Sequence, residues 1–288
     1  MPQPLITAPA LRALLSSAAP LLLCDCSFEL SDPTAGARLH AQRHLPGAIH
    51  IDLDHDLAAP KVAGAGRGRH PLPDADAFAS RLGQLGFADD LPVVAYDNAG
   101  GIYAARLWWM LRWLGHAAVQ VLDGGPDAWV AAGGVMASGV PATRPTGRFT
   151  RRPALVAQVD FAGLLAHLGR PPRLIVDARA PDRFRGENET LDPVGGHIPG
   201  AANRFFRHNL APDGCFKPAA QLRADWLALL AGRAAADVVA QCGSGVTACH
   251  NSLAMEYAGF VGSRVFAPSW SGWVSDPSRP VATGGDPV

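Results

Sequence analysis

Cys242 stands in the stretch QCGSGVTACH, after the apolar run VVA and before a segment with helical spacing. A cysteine there is either a nucleophile or a small residue packed in a turn, a common fate of a free thiol. The residues that follow favour the nucleophile. Gly243 and Gly245 let the backbone curl, so that successive N–H groups point inward and form a nest for an anion. A helix that starts at the same place aims the positive end of its dipole there. Helix N-termini hold thiols as thiolates, which is the nucleophilic form. The spacing therefore predicts attack by Cys242 beside an anion-binding loop made of Gly243, Ser244, Gly245, Val246 and Thr247.

The other four of the five cysteines read as structural. Cys249 shares an apolar stripe with Val246, Leu253 and Tyr257, while Cys24 and Cys26 have strand parity and Cys215 sits in the loop PDGCF. An odd cysteine count argues against a disulfide framework. With no C-x-x-C, no zinc site is expected, and a reducing compartment suits the thiols.

The elements that must position Cys242 occur twice in the chain. The apolar run LLLCDCS (21–27) matches LIVDARA (174–180), and HLPGA (44–48) matches HIPGA (197–201). The stretch LPVVAYDNAGGIYAARLWWMLRWLG (91–115) matches ADVVAQCGSGVTACHNSLAMEYAG (236–259), and VQVLDGGPDAW (119–129) matches SRVFAPSWSGW (263–273). The order is the same in both halves, which is the mark of an internal duplication. Each copy alternates strands with helices, and VVAY and VVAQ lack polar alternation, so they read as buried on both faces. This predicts an α/β fold with a mainly parallel sheet in each copy, where ligands sit at the C-terminal strand ends. In residues 102–114, Leu107, Met110, Leu111 and Leu114 predict a helix with one buried stripe. The expected domains are 1–140 and 155–288, joined by an extended linker over 141–154 in a Gly-, Pro- and Arg-rich stretch. In the first copy Asp97 takes the place of Cys242. An aspartate is no sulfur nucleophile and is expected to repel an anion from its nest, so the second half alone is the catalytic one.

Bulk properties narrow the partners. The 288 residues carry 25 Lys+Arg and 25 Asp+Glu, so net charge gives no reason to expect nucleic acid or an anionic membrane. At the N-terminus, Thr7 is placed to cap a helix in APALRALL, and PLLLCDCS reads as a strand. That segment lacks the basic start of a secretory leader, so a cytoplasmic location is expected.

The chain resembles the two-domain rhodanese-type sulfurtransferases. The resemblance spans almost the whole length and rests on HLPGA and HIPGA, LDGGPDAW, VDARAPDRFRGE and above all CGSGVT, which looks like the active loop of the 3-mercaptopyruvate enzymes. It implies tandem rhodanese-like domains, each a five-stranded mainly parallel sheet flanked by helices, with the active site in the second. It also implies double displacement. Cys242 takes the outer sulfur of 3-mercaptopyruvate or thiosulfate as a persulfide, then passes it to cyanide or a thiol, thioredoxin included. No metal or organic cofactor is implied. The loop amides stabilise the thiolate and persulfide. Arg183, in DRFRG, falls where the family binds the donor's anionic end. Ser244 falls at a serine that works with a histidine and an aspartate from the first domain; the matching residues are His70 and Asp54. His44 and His197 occur in both copies, which marks them as structural, and Asp177 reads as a loop organiser.

Three departures bear on the donor. The family's second substrate arginine falls on Asp192, an acid expected to repel a carboxylate; FAPSWSGW lacks the family's acidic residues; and Phe28 replaces a tryptophan. Two other readings are weaker. A phosphatase needs C-x5-R, and Ala248 stands where the arginine belongs. A non-catalytic rhodanese-fold protein would usually lack the cysteine.

Overall fold

The four-residue apolar runs become strands buried on both faces. In the computed structural model, which describes residues 3–62, 66–139, 144–170 and 172–285, they build two five-stranded parallel sheets. The chain divides into two compact units. Unit 1 comprises Met1–Ala59, Leu72–Leu155 and Pro212–Phe216; unit 2 comprises Pro60–Pro71, Val156–Ala211 and Lys217–Val288.

Unit 1 runs β1 (Leu5–Ile6), α1 (Ala8–Ser16), β2 (Leu22–Asp25), α2 (Ala35–Gln42), β3 (Ile49–His50), α3 (Ala75–Gln84), β4 (Val93–Tyr96), α4 (Ile102–Trp113), β5 (Val119–Leu122) and α5 (Gly125–Ala131). Unit 2 runs β6 (Ala157–Gln158), α6 (Phe161–Leu165), β7 (Leu174–Asp177), α7 (Pro181–Arg185), β8 (Ala202–Asn203), a 3-10 turn (Phe206–Asn209), α8 (Ala219–Leu230), β9 (Val238–Gln241), α9 (Val246–Tyr257), β10 (Arg264–Val265) and α10 (Ser269–Trp273). The strand orders, β1-β5-β4-β2-β3 and β6-β10-β9-β7-β8, are one pattern used twice. The register repeats as well: Asp25 lies opposite Tyr96, and Asp177 opposite Gln241. Parallel neighbours require crossover connections, which the helices supply while covering the sheet.

The first helix begins as its sequence predicts, with Thr7 Oγ1 accepting the Ala10 N–H at 3.4 Å. Helices α4 and α9 depart from the one-stripe expectation, being buried nearly all round. The reason for α9 is its surroundings: it packs on β9 and β10 and is covered by α8 and the 3-10 turn. A helix enclosed in this way keeps little face for solvent. The core of unit 1 includes Leu23, Val94, Leu122 and Trp129; that of unit 2 includes Ile175, Val239, Phe266, Trp270 and Trp273. The connector runs without regular structure over 144–156. It is tied to unit 1 by bonds such as the Arg152 N–H to the Leu114 carbonyl at 2.9 Å. Residues 140–143, part of the same stretch, lie outside the described residues.

Two short segments leave the half of the sequence in which they occur. Residues 60–71 belong to unit 2, and 212–216 to unit 1. The first excursion brings Arg69 and His70 into the unit that holds Cys242.

Candidate active site

The loop 242–245 joins the end of β9 to the start of α9. Gly245 turns it with φ +83°, and a Cβ at that position would lie 2.4 Å from the Ala267 carbonyl oxygen. Both facts require glycine. The turn aims the Gly245 N–H at Cys242 Sγ, 3.1 Å away. Cys242 is 2% exposed, so this contact forms where water competes little. An N–H held there stabilises negative charge on sulfur, as oxyanion holes do for oxygen.

The loop is stitched to the N-terminal end of α10. The Cys242 N–H donates to Ser269 Oγ at 3.1 Å, and that hydroxyl donates to the Phe266 carbonyl at 2.9 Å. The Trp270 N–H donates to the Cys242 carbonyl, and the Ser271 N–H to the Gly243 carbonyl, each at 2.9 Å. Ser269 has φ +52°, a conformation that costs a non-glycine residue roughly 1–2 kcal/mol. Its hydroxyl satisfies the nucleophile's own N–H. Sequence reasoning missed Ser269; its one signal was the repeat, which sets it opposite Gly125, also at positive φ (+56°).

Of the residues assigned to the relay, Ser244 and His70 meet. His70 Nδ1 lies 2.7 Å from Ser244 Oγ, and both side chains are buried. Asp54 is in unit 1, in the turn after β3, where its N–H donates to the Asp52 carboxylate at 2.8 Å. Val246 and Thr247 form the first turn of α9, buried and half-buried respectively.

Three arginines and three acids surround the loop. Asp177, at the end of β7, accepts the Arg179 N–H at 2.9 Å and its guanidinium at 2.6–3.1 Å, which fits a loop organiser. Burial works against the Arg179 charge, but the negative groups around it, Asp177 first and then Glu189, together outweigh burial and raise the arginine's pKa. The same guanidinium lies 4.6 Å over the Trp270 ring. Arg183, on α7, donates to Glu189 through Nε and Nη2 at 2.8–3.2 Å, and to Asp192 at 3.3 Å. Arg69 pairs with the other oxygen of Asp192. Asp192 was expected to repel a carboxylate. It is instead 3% exposed and held between two guanidinium groups, so its charge is compensated on the spot.

His44 and His197 hold structure in both copies. Their Nδ1–H groups donate to the His40 and Phe184 carbonyls at 2.6 and 2.9 Å. Cys249 is buried on α9 with Sγ donating to the Gly245 carbonyl at 3.2 Å. Among the described residues, no group of His, Cys, Asp or Glu is arranged to hold a metal ion.

In the corresponding loop of unit 1 an aspartate stands where Cys242 stands in unit 2. Asp97 Oδ1 accepts the N–H groups of Ala99 and Gly101 at 2.7 and 2.9 Å, and Oδ2 those of Tyr103 and Ala104, both at 2.8 Å. The expected effect was repulsion of an anion. The finding is occupation: the side chain is the anion, and it fills the nest. Burial pushes its carboxyl above the ordinary aspartate range, against the opposing pull of the four N–H groups.

Comparison with known proteins identifies the family. The sequence matches the family described as Rhodanese-like domain over residues 7–132 and again over 161–276. A Pseudomonas aeruginosa protein named "Probable 3-mercaptopyruvate sulfurtransferase" is 50% identical, covering 97% of this chain and 98% of its own. Human 3-mercaptopyruvate sulfurtransferase is 35% identical over 88% of this chain and 85% of its own. Among solved structures, SseA of Escherichia coli superposes with a TM-score of 0.79 at 26% identity, covering 94% of this chain and 100% of that one.

Proposed function

The chain belongs to the rhodanese-like family, and we propose that Cys242 is the residue through which this sulfurtransferase moves sulfur from a small anionic donor to a nucleophilic acceptor. The observation that carries the reading is the buried Cys242 Sγ facing the Gly245 N–H at 3.1 Å, in a loop overlooked by Arg69 and Arg183. The Cys242 thiolate attacks the outer sulfur of the donor, and a new S–S bond forms. With 3-mercaptopyruvate the C–S bond breaks and its electron pair leaves on carbon as the enolate of pyruvate. With thiosulfate the S–S bond breaks and the pair leaves with sulfite. The Gly245 N–H holds charge on the sulfur in both thiolate and persulfide. An acceptor (cyanide, or a thiol such as reduced thioredoxin) then attacks the outer sulfur of the persulfide and restores the thiolate. Unit 1 contributes no nucleophile, because its nest is filled by Asp97.

The Ser244–His70 pair favours 3-mercaptopyruvate. Its enolate needs a proton on carbon, which Ser244 Oγ delivers and His70 replaces, with Asp54 as the proposed third member. Sulfite needs none. The test is mass spectrometry after addition of donor. The peptide containing Cys242 gains the mass of one sulfur atom, the gain disappears on adding cyanide, and Cys242→Ser abolishes transfer. Transfer that survives Cys242→Ser refutes the assignment.

A further inference from the structure

The duplication makes each unit a template for the other. In unit 2, Asp177 Oδ1 accepts the Arg179 N–H at 2.9 Å, and the same carboxylate holds the Arg179 guanidinium at 2.6–3.1 Å. That guanidinium lies 4.6 Å over the Trp270 ring. In unit 1, Asp25 Oδ1 accepts the Ser27 N–H, also at 2.9 Å. The turn is the same, but the side chains around it are not. By the repeat, Ser27 stands where Arg179 stands, and Pro126 where Trp270 stands.

Two large side chains are thus replaced by small ones, and the space is open. Asp25, Ser27 and Pro126 all line a cavity of about 400 Å³ in unit 1. It lies at the C-terminal ends of β2 and β4, where sheets of this kind hold ligands, and its size suits a small molecule. An anion is excluded, because Asp97 already fills the nest. Asp127 and Asp213 add carboxylates to the lining, against one cation, Arg43. Asp25 keeps its charge as well. Burial pushes its carboxyl up, but the bonds from His40 Nδ1 at 2.9 Å and from Ser27 win, and its pKa falls below the ordinary aspartate range.

We infer that this cavity is a binding site for a small guanidinium compound, whose fork takes the place beside Asp25 that the Arg179 guanidinium takes beside Asp177. The carboxylate at this turn binds that very group in the other copy, and a planar fork matches a carboxylate in a way that a simple ammonium does not. Asp127, with a 93% exposed side chain, offers a second negative charge on the solvent side. The unit without a nucleophile is then a binding unit in its own right, with the charge of its ligand reversed.

The probe is agmatine, a linear guanidinium that also carries an amine. It is titrated calorimetrically into the full chain, beside cadaverine, a diamine of similar length and equal charge. Agmatine binds ~10-fold or more tightly than cadaverine, the value of a charge-assisted fork. Ser27→Arg supplies the guanidinium from the chain itself. It weakens agmatine binding ~10- to 100-fold and raises the melting midpoint, because the cavity is filled from within. Asp127→Asn alters only an exposed side chain, so the core is undisturbed, and it weakens binding about two- to fivefold. None of these measurements involves sulfur transfer, so they stand apart from the role proposed for Cys242. The inference is overturned if agmatine does not bind, if cadaverine binds equally well, or if folded Ser27→Arg and Asp127→Asn proteins both keep wild-type affinity for agmatine.

Discussion

Asp97→Ala tests whether the unit 1 loop is held in place by the carboxylate that fills its nest. The substitution removes the acceptor of four backbone N–H groups, all bonded at 2.7–2.9 Å. Leaving a buried N–H without a partner costs ~1–3 kcal/mol. Asp97 borders a cavity of about 400 Å³, roomy enough for water to reach some of these donors, so the lower end applies. Four such losses come to about 4 kcal/mol, or roughly 8–16 °C in the melting midpoint for a domain of this size. Asp97→Asn keeps one oxygen and loses about half as much. Calorimetry gives the midpoint, and hydrogen exchange of the Tyr103 and Ala104 amides reports the loop directly. Folded Asp97→Ala protein should still form the Cys242 persulfide. If the substitution leaves the midpoint within about one degree of wild type and those two amides equally protected, the carboxylate is not what fills the nest.

Three further outcomes follow from the geometry around Cys242. Gly245→Ala forces a left-handed alanine, costing ~1–2 kcal/mol, and sets its Cβ 2.4 Å from the Ala267 carbonyl. The N–H facing the sulfur moves, so kcat/KM falls ~100-fold or more while circular dichroism stays native. Ser244→Ala lowers kcat ~100-fold with 3-mercaptopyruvate, whose enolate must be protonated, and little with thiosulfate; equal losses with both donors refute the relay. Glu189 gives a pH dependence. Burial pushes its carboxyl up, but its bonds from Arg183 and from the Leu191 N–H win, and its pKa falls below the ordinary 4.5. The stability it contributes is therefore fully present above that value and is lost as pH falls through the lowered one. Urea midpoints of wild type should drop on that acid limb, and those of Glu189→Gln should drop less.

The duplicated plan was legible in the chain because it is local. Four-residue apolar runs, a glycine at the turn and a helical stripe encode strand, loop and helix within about twenty residues, and the repeat showed that Cys242 has a twin without a thiol. The active loop was legible for the same reason: a strand-end cysteine before Gly243 and Gly245 already implies inward N–H groups. What lies around the loop was not. Arg69 and His70 reach the loop after Cys242, at Gly243 and Ser244, only because residues 60–71 fold with the other half, and no periodicity records such an excursion. Ser269, held at φ +52°, gives its hydroxyl to a residue far away in sequence. Asp97 looked like a charge that would keep anions out, yet it is the anion. Asp192 looked like a charge that would repel the donor, yet its charge is spent on two arginines. A formal charge can be read from one residue, but its effect depends on which donors surround it, and those are assembled only when distant parts of the chain are packed together.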